Sequence, residues 1–147
     1  MTDTDQFTDL QILAMTLIGE FESMGETGMT QGACVIMNRA KENIHWMGGN
    51  NVRKICLQPL QFSCWNDDPN NKDRKRIINI ASTNPSYGAY VLAARIAGDA
   101  INGRINDSVG GAVSYINHLE CHPKWAAGKE PVFINEPVWF YAYDQIC

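Results

Sequence analysis

Apolar residues recur at helical spacing through the first two thirds of the chain and give way to aromatic, β-branched stretches near its end. Leu10, Leu13, Ala14 and Leu17 share one helical face. Thr8 followed by Gln11 forms a capping-box start, in which hydroxyl and amide satisfy the first free backbone amides reciprocally. This spacing predicts a first helix from Asp9 to Gly19 or Glu20. A second is expected from Met29 to Ala40, with Met29, Ala33, Ile36, Met37 and Ala40 on one face. A short third helix covers Val52 to Leu57 and ends at Gln58-Pro59, because a residue before proline is pushed out of the α region.

Residues 66–73 are polar and rich in Asn and Asp, and are read as a loop. The longest helix is expected from Pro85 or Ser86 to Asn102, with Gly103 suited to the left-handed position beyond its end. After Gly110-Gly111 the texture changes. Ala112 to Ile116 and Val138 to Tyr143 are read as strands. The expected fold is α+β, a predominantly helical single domain over residues 1–147 with a small late β-sheet, and with residues 1–8 as a flexible lead-in.

Composition narrows the function classes. At 147 residues, 45% hydrophobic and 19% charged, the chain has the make-up of an ordinary globular domain. A net charge of −4 provides no basic field for nucleic acid. The one basic run, Lys72 to Arg76, is interrupted by Asp73 and is read as a solvated helix face. No apolar run approaches the roughly 18 residues that span a bilayer, so stable membrane insertion is not expected. The acidic, polar start lacks the features of an export signal. Synthesis and retention in a cytoplasm are therefore expected, and the five cysteines are expected to be free thiols, with Cys34 a small core hydrophobe.

Four groups of residues could carry chemistry. Glu20 ends the first amphipathic helix beside Gly19, where a carboxyl group is rigidly held yet free to face a cleft; Ile18 and Phe21 beside it would raise its pKa, as a general acid requires. The bland alternative is a solvated helix-end glutamate. Gln61-Phe62-Ser63-Cys64-Trp65 sets two aromatics among small polar residues, which suits stacking on sugars as well as anchoring a loop to a core. Tyr115, Trp125, Trp139, Phe140, Tyr141 and Tyr143 are mostly expected in the core, with Trp125 at a cleft edge. His118, Cys121 and His122 lie close in sequence, but match no standard zinc spacing. No metal and no cofactor is expected.

Taken in order, these segments resemble the cell-wall hydrolase family typified by spore-cortex-lytic enzymes, with relatives in phages. The resemblance covers Leu13 to Tyr141. The family's opening Glu-Ala-Arg-Gly-Glu, its following Gly and its Asn-Arg fall in register on Glu20, Gly28, Asn38 and Arg39. Its Gln-Phe-Ser is Gln61-Phe62-Ser63, its Asp-Pro-Thr-Gly-Gly-Ala is Asp107 to Ala112 leading to Tyr115, its Pro-x-Trp-Ala is Pro123 to Ala126, and its closing aromatic strand is Trp139-Phe140-Tyr141. The Arg, Gly and second Glu of the opening motif are absent here; Met24 stands where the second Glu would be.

The resemblance implies a lysozyme-like helical core and cleavage of the β-1,4 bond between N-acetylmuramic acid and N-acetylglucosamine, as a lytic transglycosylase with Glu20 as acid and base. It makes peptidoglycan glycan strands the partner, with Gln61, Phe62, Ser63, Trp65, Ser114 and Tyr115 as candidate glycan contacts. An endolysin-like setting follows from the size and the start of the chain, with a holin as a possible partner for release to the wall. Three rivals stand beside it: a hydrolytic muramidase needing a second carboxylate (Glu22, Asp67 or Asp68), a catalytically inactive glycan-binding or virion structural protein, and a small zinc-dependent amidase.

Overall fold

A computed structural model describes residues 3–142. Tyr143, expected in the last strand, and Cys147, the fifth of the cysteines, lie outside the described residues.

The organising element is α1 (Asp9–Phe21), started by the expected Thr8–Gln11 capping box. Its residues from Ile12 to Ile18 are all buried, so this helix is covered on every side and forms the axis of the core. Around it pack α2 (Gly25–Glu42), α3 (Val52–Leu57), α4 (Lys72–Thr83) and α5 (Gly88–Ile101). The α1–α2 contact is close because Gly32 lies under the Phe21 ring; a Cβ there would fall 2.3 Å from a ring carbon.

Several boundaries differ from expectation, each for a local reason. A single 3-10 turn, Glu22–Met24, joins α1 to α2, so α2 begins four residues ahead of Met29 and, at 18 residues, is the longest helix in place of the 14-residue α5. The expected polar loop ends at Asn71, whose side chain caps α4. The helix is hard to see in sequence because only Ile77, Ile80 and Ala81 are buried on an otherwise polar cylinder. Within its basic run Lys72 and Lys75 are exposed, whereas Arg74 and Arg76 hold fixed partners. Within the described part of the lead-in to α1, Arg53 donates to the Thr4 and Phe7 carbonyls, at 2.6 Å each, and Thr4 and Phe7 are buried.

The sheet is α+β in the expected sense, small and late. Strands β1 (Ser114–Asn117), β2 (Phe133–Asn135) and β3 (Val138–Tyr141) run antiparallel in the order β1-β3-β2, with Tyr115 opposite Phe140. The three residues of β2 were too few to register as a strand in sequence. A second apolar cluster of Cys34, Val35, Val109, Ala112, Val138 and Phe140 glues the sheet to the outer face of α2. Cys34 is thus the core hydrophobe expected. Among the described residues no helix is long and apolar enough to cross a membrane.

Cysteine chemistry departs from expectation at one position. Cys34, Cys56 and Cys64 are free and buried, but Cys121 is disulfide-bonded. A pairing made by tertiary proximity is invisible to the local pattern along the chain.

Candidate active site

Glu20 sits half-buried in the last turn of α1, where the helix emerges from the core into a cleft facing β1. Both of its carboxyl oxygens are held. The Tyr115 hydroxyl donates to Oε1 at 2.8 Å; the Ser63 hydroxyl and the Cys64 amide donate to Oε2 at 3.4 and 3.3 Å. Burial, reinforced by the negative charge of Glu20, pushes the Tyr115 phenol well above its ordinary pKa, so it remains a proton donor.

The donors are fixed in turn by other side chains. Gly19 lets the 63–65 turn lie against α1, since a Cβ there would fall 2.6 Å from the Cys64 Cβ. Asn71 donates to the carbonyls of Ser63, Cys64 and Asn66, and Trp65 Nε1 donates to Thr16 on α1 at 2.8 Å. The β1 wall is held from α2. Asn38 donates to the Ala112 carbonyl and to Asp107, and the Arg39 Nε donates to the Val113 carbonyl at 2.6 Å. Arg39 also reaches across to the opposite wall, donating to Gln61 Oε1 at 3.1 Å over the Phe62 ring. Burial lowers its pKa to about 10, still fully cationic at neutral pH.

Two cavities meet at Glu20. One, of about 360 Å³, is bounded by Gln61, Ser63 and Asn66; the other, of about 550 Å³, by Ser23, Met24 and Asn135. They share Glu20, Tyr115, Asn117 and Glu120, and so form two arms of one open cleft with the carboxyl group at their junction.

Of the candidate contacts, Gln61, Ser63 and Tyr115 converge on this cleft with Glu20. Phe62, Trp65 and Ser114 do not line it. Their side chains are buried, because the 62–65 turn anchors its aromatics in the core and β1 alternates Ser114 inward against Tyr115 outward. Trp125, expected at a cleft edge, packs edge-on against Tyr141 and lines neither arm of the cleft. His118 stacks on Trp139 and its Nε2 lies 2.6 Å from Glu136. Among the described residues no group of three or more His, Cys, Asp or Glu could hold a metal ion.

Sequence reasoning missed Asn66, Asn117 and Glu120. Asn117 was findable, since it shares a strand face with Tyr115 at period two. Glu120 reaches the cleft through the turn after β1, and carries no one-dimensional signal. The carboxylates a muramidase would need beside Glu20 lie elsewhere: Glu22 is taken by Arg76 and Tyr87, and Asp67 and Asp68 line a neighbouring depression.

Over residues 23–141, most of its length, the chain matches the profile of the cell wall hydrolase family. It belongs to that family. The match covers Tyr115, Gln61, Ser63 and the Asn38-Arg39 pair of this cell wall hydrolase and starts three residues after Glu20, so the place of Glu20 in the site rests on the geometry above. No curated protein and no solved structure matches the chain. Family membership assigns the protein to the enzymes of peptidoglycan degradation in general terms.

Proposed function

We propose that this cell wall hydrolase cuts peptidoglycan glycan strands at the β-1,4 bond between N-acetylmuramic acid and N-acetylglucosamine, as a lytic transglycosylase. The observation that carries the reading is Glu20, with both oxygens held, at the junction of the two cleft arms. A strand lying along both arms presents a glycosidic oxygen to that carboxyl group. In its protonated form Glu20 gives its proton to the leaving oxygen and the C1–O bond breaks. The resulting carboxylate then takes the proton of the 6-hydroxyl on the same muramic acid, whose oxygen closes on C1. No water is consumed.

A second reading, hydrolysis by a muramidase, draws on Glu120, which faces both arms. A retaining or inverting glycosidase uses two carboxyl groups. Glu120 is exposed, and among the described residues no hydrogen bond fixes its carboxylate, whereas the groups that perform catalysis are normally held in place. That contrast favours the one-carboxylate mechanism.

Mass spectrometry of fragments released from purified peptidoglycan separates the readings. The transglycosylase releases muropeptides ending in 1,6-anhydro-N-acetylmuramic acid, lighter by one water than muramidase products and inert to borohydride. Reducible ends from the wild type would reject it in favour of Glu120. Glu20→Gln should lower release by about 10²–10⁴. A folded wild-type protein that releases nothing would leave only the binding or structural role.

A further inference from the structure

The order β1-β3-β2 leaves one side of β1 with no strand beside it among the described residues. That strand borders the cleft: Tyr115, Ile116 and Asn117 line the same arm as Gln61 and Ser63. An antiparallel ladder alternates residues that bond their partner strand with residues whose N–H and C=O point away from it. On β3 the Pro137 and Tyr141 carbonyls accept from His118 and Val113, toward β1, whereas the Phe140 carbonyl accepts from Val132, toward β2. Tyr115 stands opposite Phe140, so its main-chain N–H and C=O point to the open edge.

The outward carbonyls on either side of it are taken. Val113 accepts from Arg39 Nε at 2.6 Å, and Asn117 accepts from the Glu120 and Cys121 amides at 3.0 and 2.9 Å. Between them the Tyr115 amide and carbonyl make no hydrogen bond among the described residues. Main-chain groups on a strand edge are strong donors and acceptors, and an extended peptide satisfies them by joining the sheet. Here the open stretch is a single residue, which fits one peptide residue and two hydrogen bonds.

We propose that the β1 edge at Tyr115 is a peptide site, which receives the first residue of the stem peptide carried by the muramic acid. The occupant follows from the place. The edge lies in an arm that ends at Glu20, and the muramic acid cut there carries its peptide on the same ring. The first stem residue gives its N–H to the Tyr115 carbonyl and accepts the Tyr115 N–H on its own carbonyl. One residue thus holds Glu20 through its hydroxyl and the substrate through its backbone. The inference rests on the glycan reading of the Glu20 cleft and deepens it: the substrate is the peptide-bearing strand rather than bare glycan.

The test uses Glu20→Gln, to separate binding from turnover, and three soluble glycan fragments of equal length. One carries its stems, one has lost them to an amidase, and one has the first stem amide N-methylated. Calorimetry reads affinity, and hydrogen exchange of the Tyr115 amide, followed by NMR, reads the edge itself. The stem-bearing fragment should bind about tenfold tighter than the stripped one, the worth of one or two retained hydrogen bonds. It should also slow exchange at Tyr115, and the N-methylated fragment should behave like the stripped one. Equal affinity for all three with unchanged exchange overturns the peptide site and leaves the glycan reading standing. A stem preference that survives N-methylation, or that leaves Tyr115 unprotected, overturns it as well. Protection of Tyr115 by the isolated stem peptide, with no affinity for stripped glycan, would uphold the site and remove the glycan reading. If neither the fragments nor the isolated peptide bind, both fall.

Discussion

The Tyr115 hydroxyl donates to Glu20 Oε1 at 2.8 Å across 95 residues of chain, joining the first helix to the first strand at the point where the cleft arms meet. This bond is made by a donor that burial and the nearby carboxylate keep protonated. Tyr115→Phe retains the ring packing on Phe21 and Phe140 and removes only the donor. A hydrogen bond to a charged group is worth about 1.5–3 kcal/mol. The variant should therefore lose about ten- to a hundredfold in kcat with a much smaller change in KM, and its Tm should stay within a few degrees. Unchanged kcat would show that Tyr115 does not act on Glu20 during turnover.

Gly19 sets how closely the Ser63–Trp65 turn approaches α1. In Gly19→Ala the new methyl group meets the Cys64 Cβ and Sγ at 2.6 and 2.7 Å, inside van der Waals contact. Overpacking of this kind costs about 1–3 kcal/mol, and it moves the two donors that hold Glu20 Oε2. Both Tm and glycan cleavage should fall. Denaturant unfolding beside an activity assay checks this; loss of stability with full activity would mean that those donors are dispensable.

Glu22 directs the acid response. Its carboxylate accepts from both Arg76 nitrogens, at 2.7 and 3.1 Å, and from the Tyr87 hydroxyl. The Arg76 hydrogen bonds, opposed by burial and aided by Tyr87, pull its pKa below the ordinary glutamate value. A carboxylate with a depressed folded-state pKa adds stability above its unfolded value, and loses that stability as pH falls through the folded one. The pair is partly exposed and should contribute about 1 kcal/mol or less near neutrality. The Tm gap between wild type and Glu22→Gln should thus be open at neutral pH and close in the acid range below the ordinary glutamate pKa. A gap that persists through that range would assign the loss to packing.

Chelator and reductant should act differently. With no cluster of metal-ligating side chains among the described residues, EDTA should leave the rate unchanged, and zinc-restored activity after EDTA would revive the His118–Cys121–His122 alternative. Cys121 is disulfide-bonded and lines the cleft beside Glu120. Reductant should therefore raise KM by loosening that wall, an outcome opposite to the one expected of a chain of free thiols. Cys121→Ser should reproduce it; identical kinetics in both redox states would detach the disulfide from the site.

The sequence by itself determined the parts governed by neighbours along the chain. The capped start of α1, the apolar faces of the helices, the late aromatic strands and the helix-end position of Glu20 all follow from periodicities within a few turns. Tertiary structure decided what those parts face. Phe62 and Trp65 looked like sugar-stacking residues by composition, but a buried bond from Trp65 to Thr16 and the approach allowed by Gly19 turned them into the floor and anchor of their turn. Asn117 and Glu120 became cleft residues only because β1 pairs with β3 and because Asn38 and Arg39 tie the segment before β1 to α2, and Asn66 became one because Asn71 and Gly19 set its turn against α1. A local pattern specifies which side of an element is apolar. Which polar side chains meet across a cleft depends on contacts between segments tens of residues apart, and no short-range periodicity encodes them.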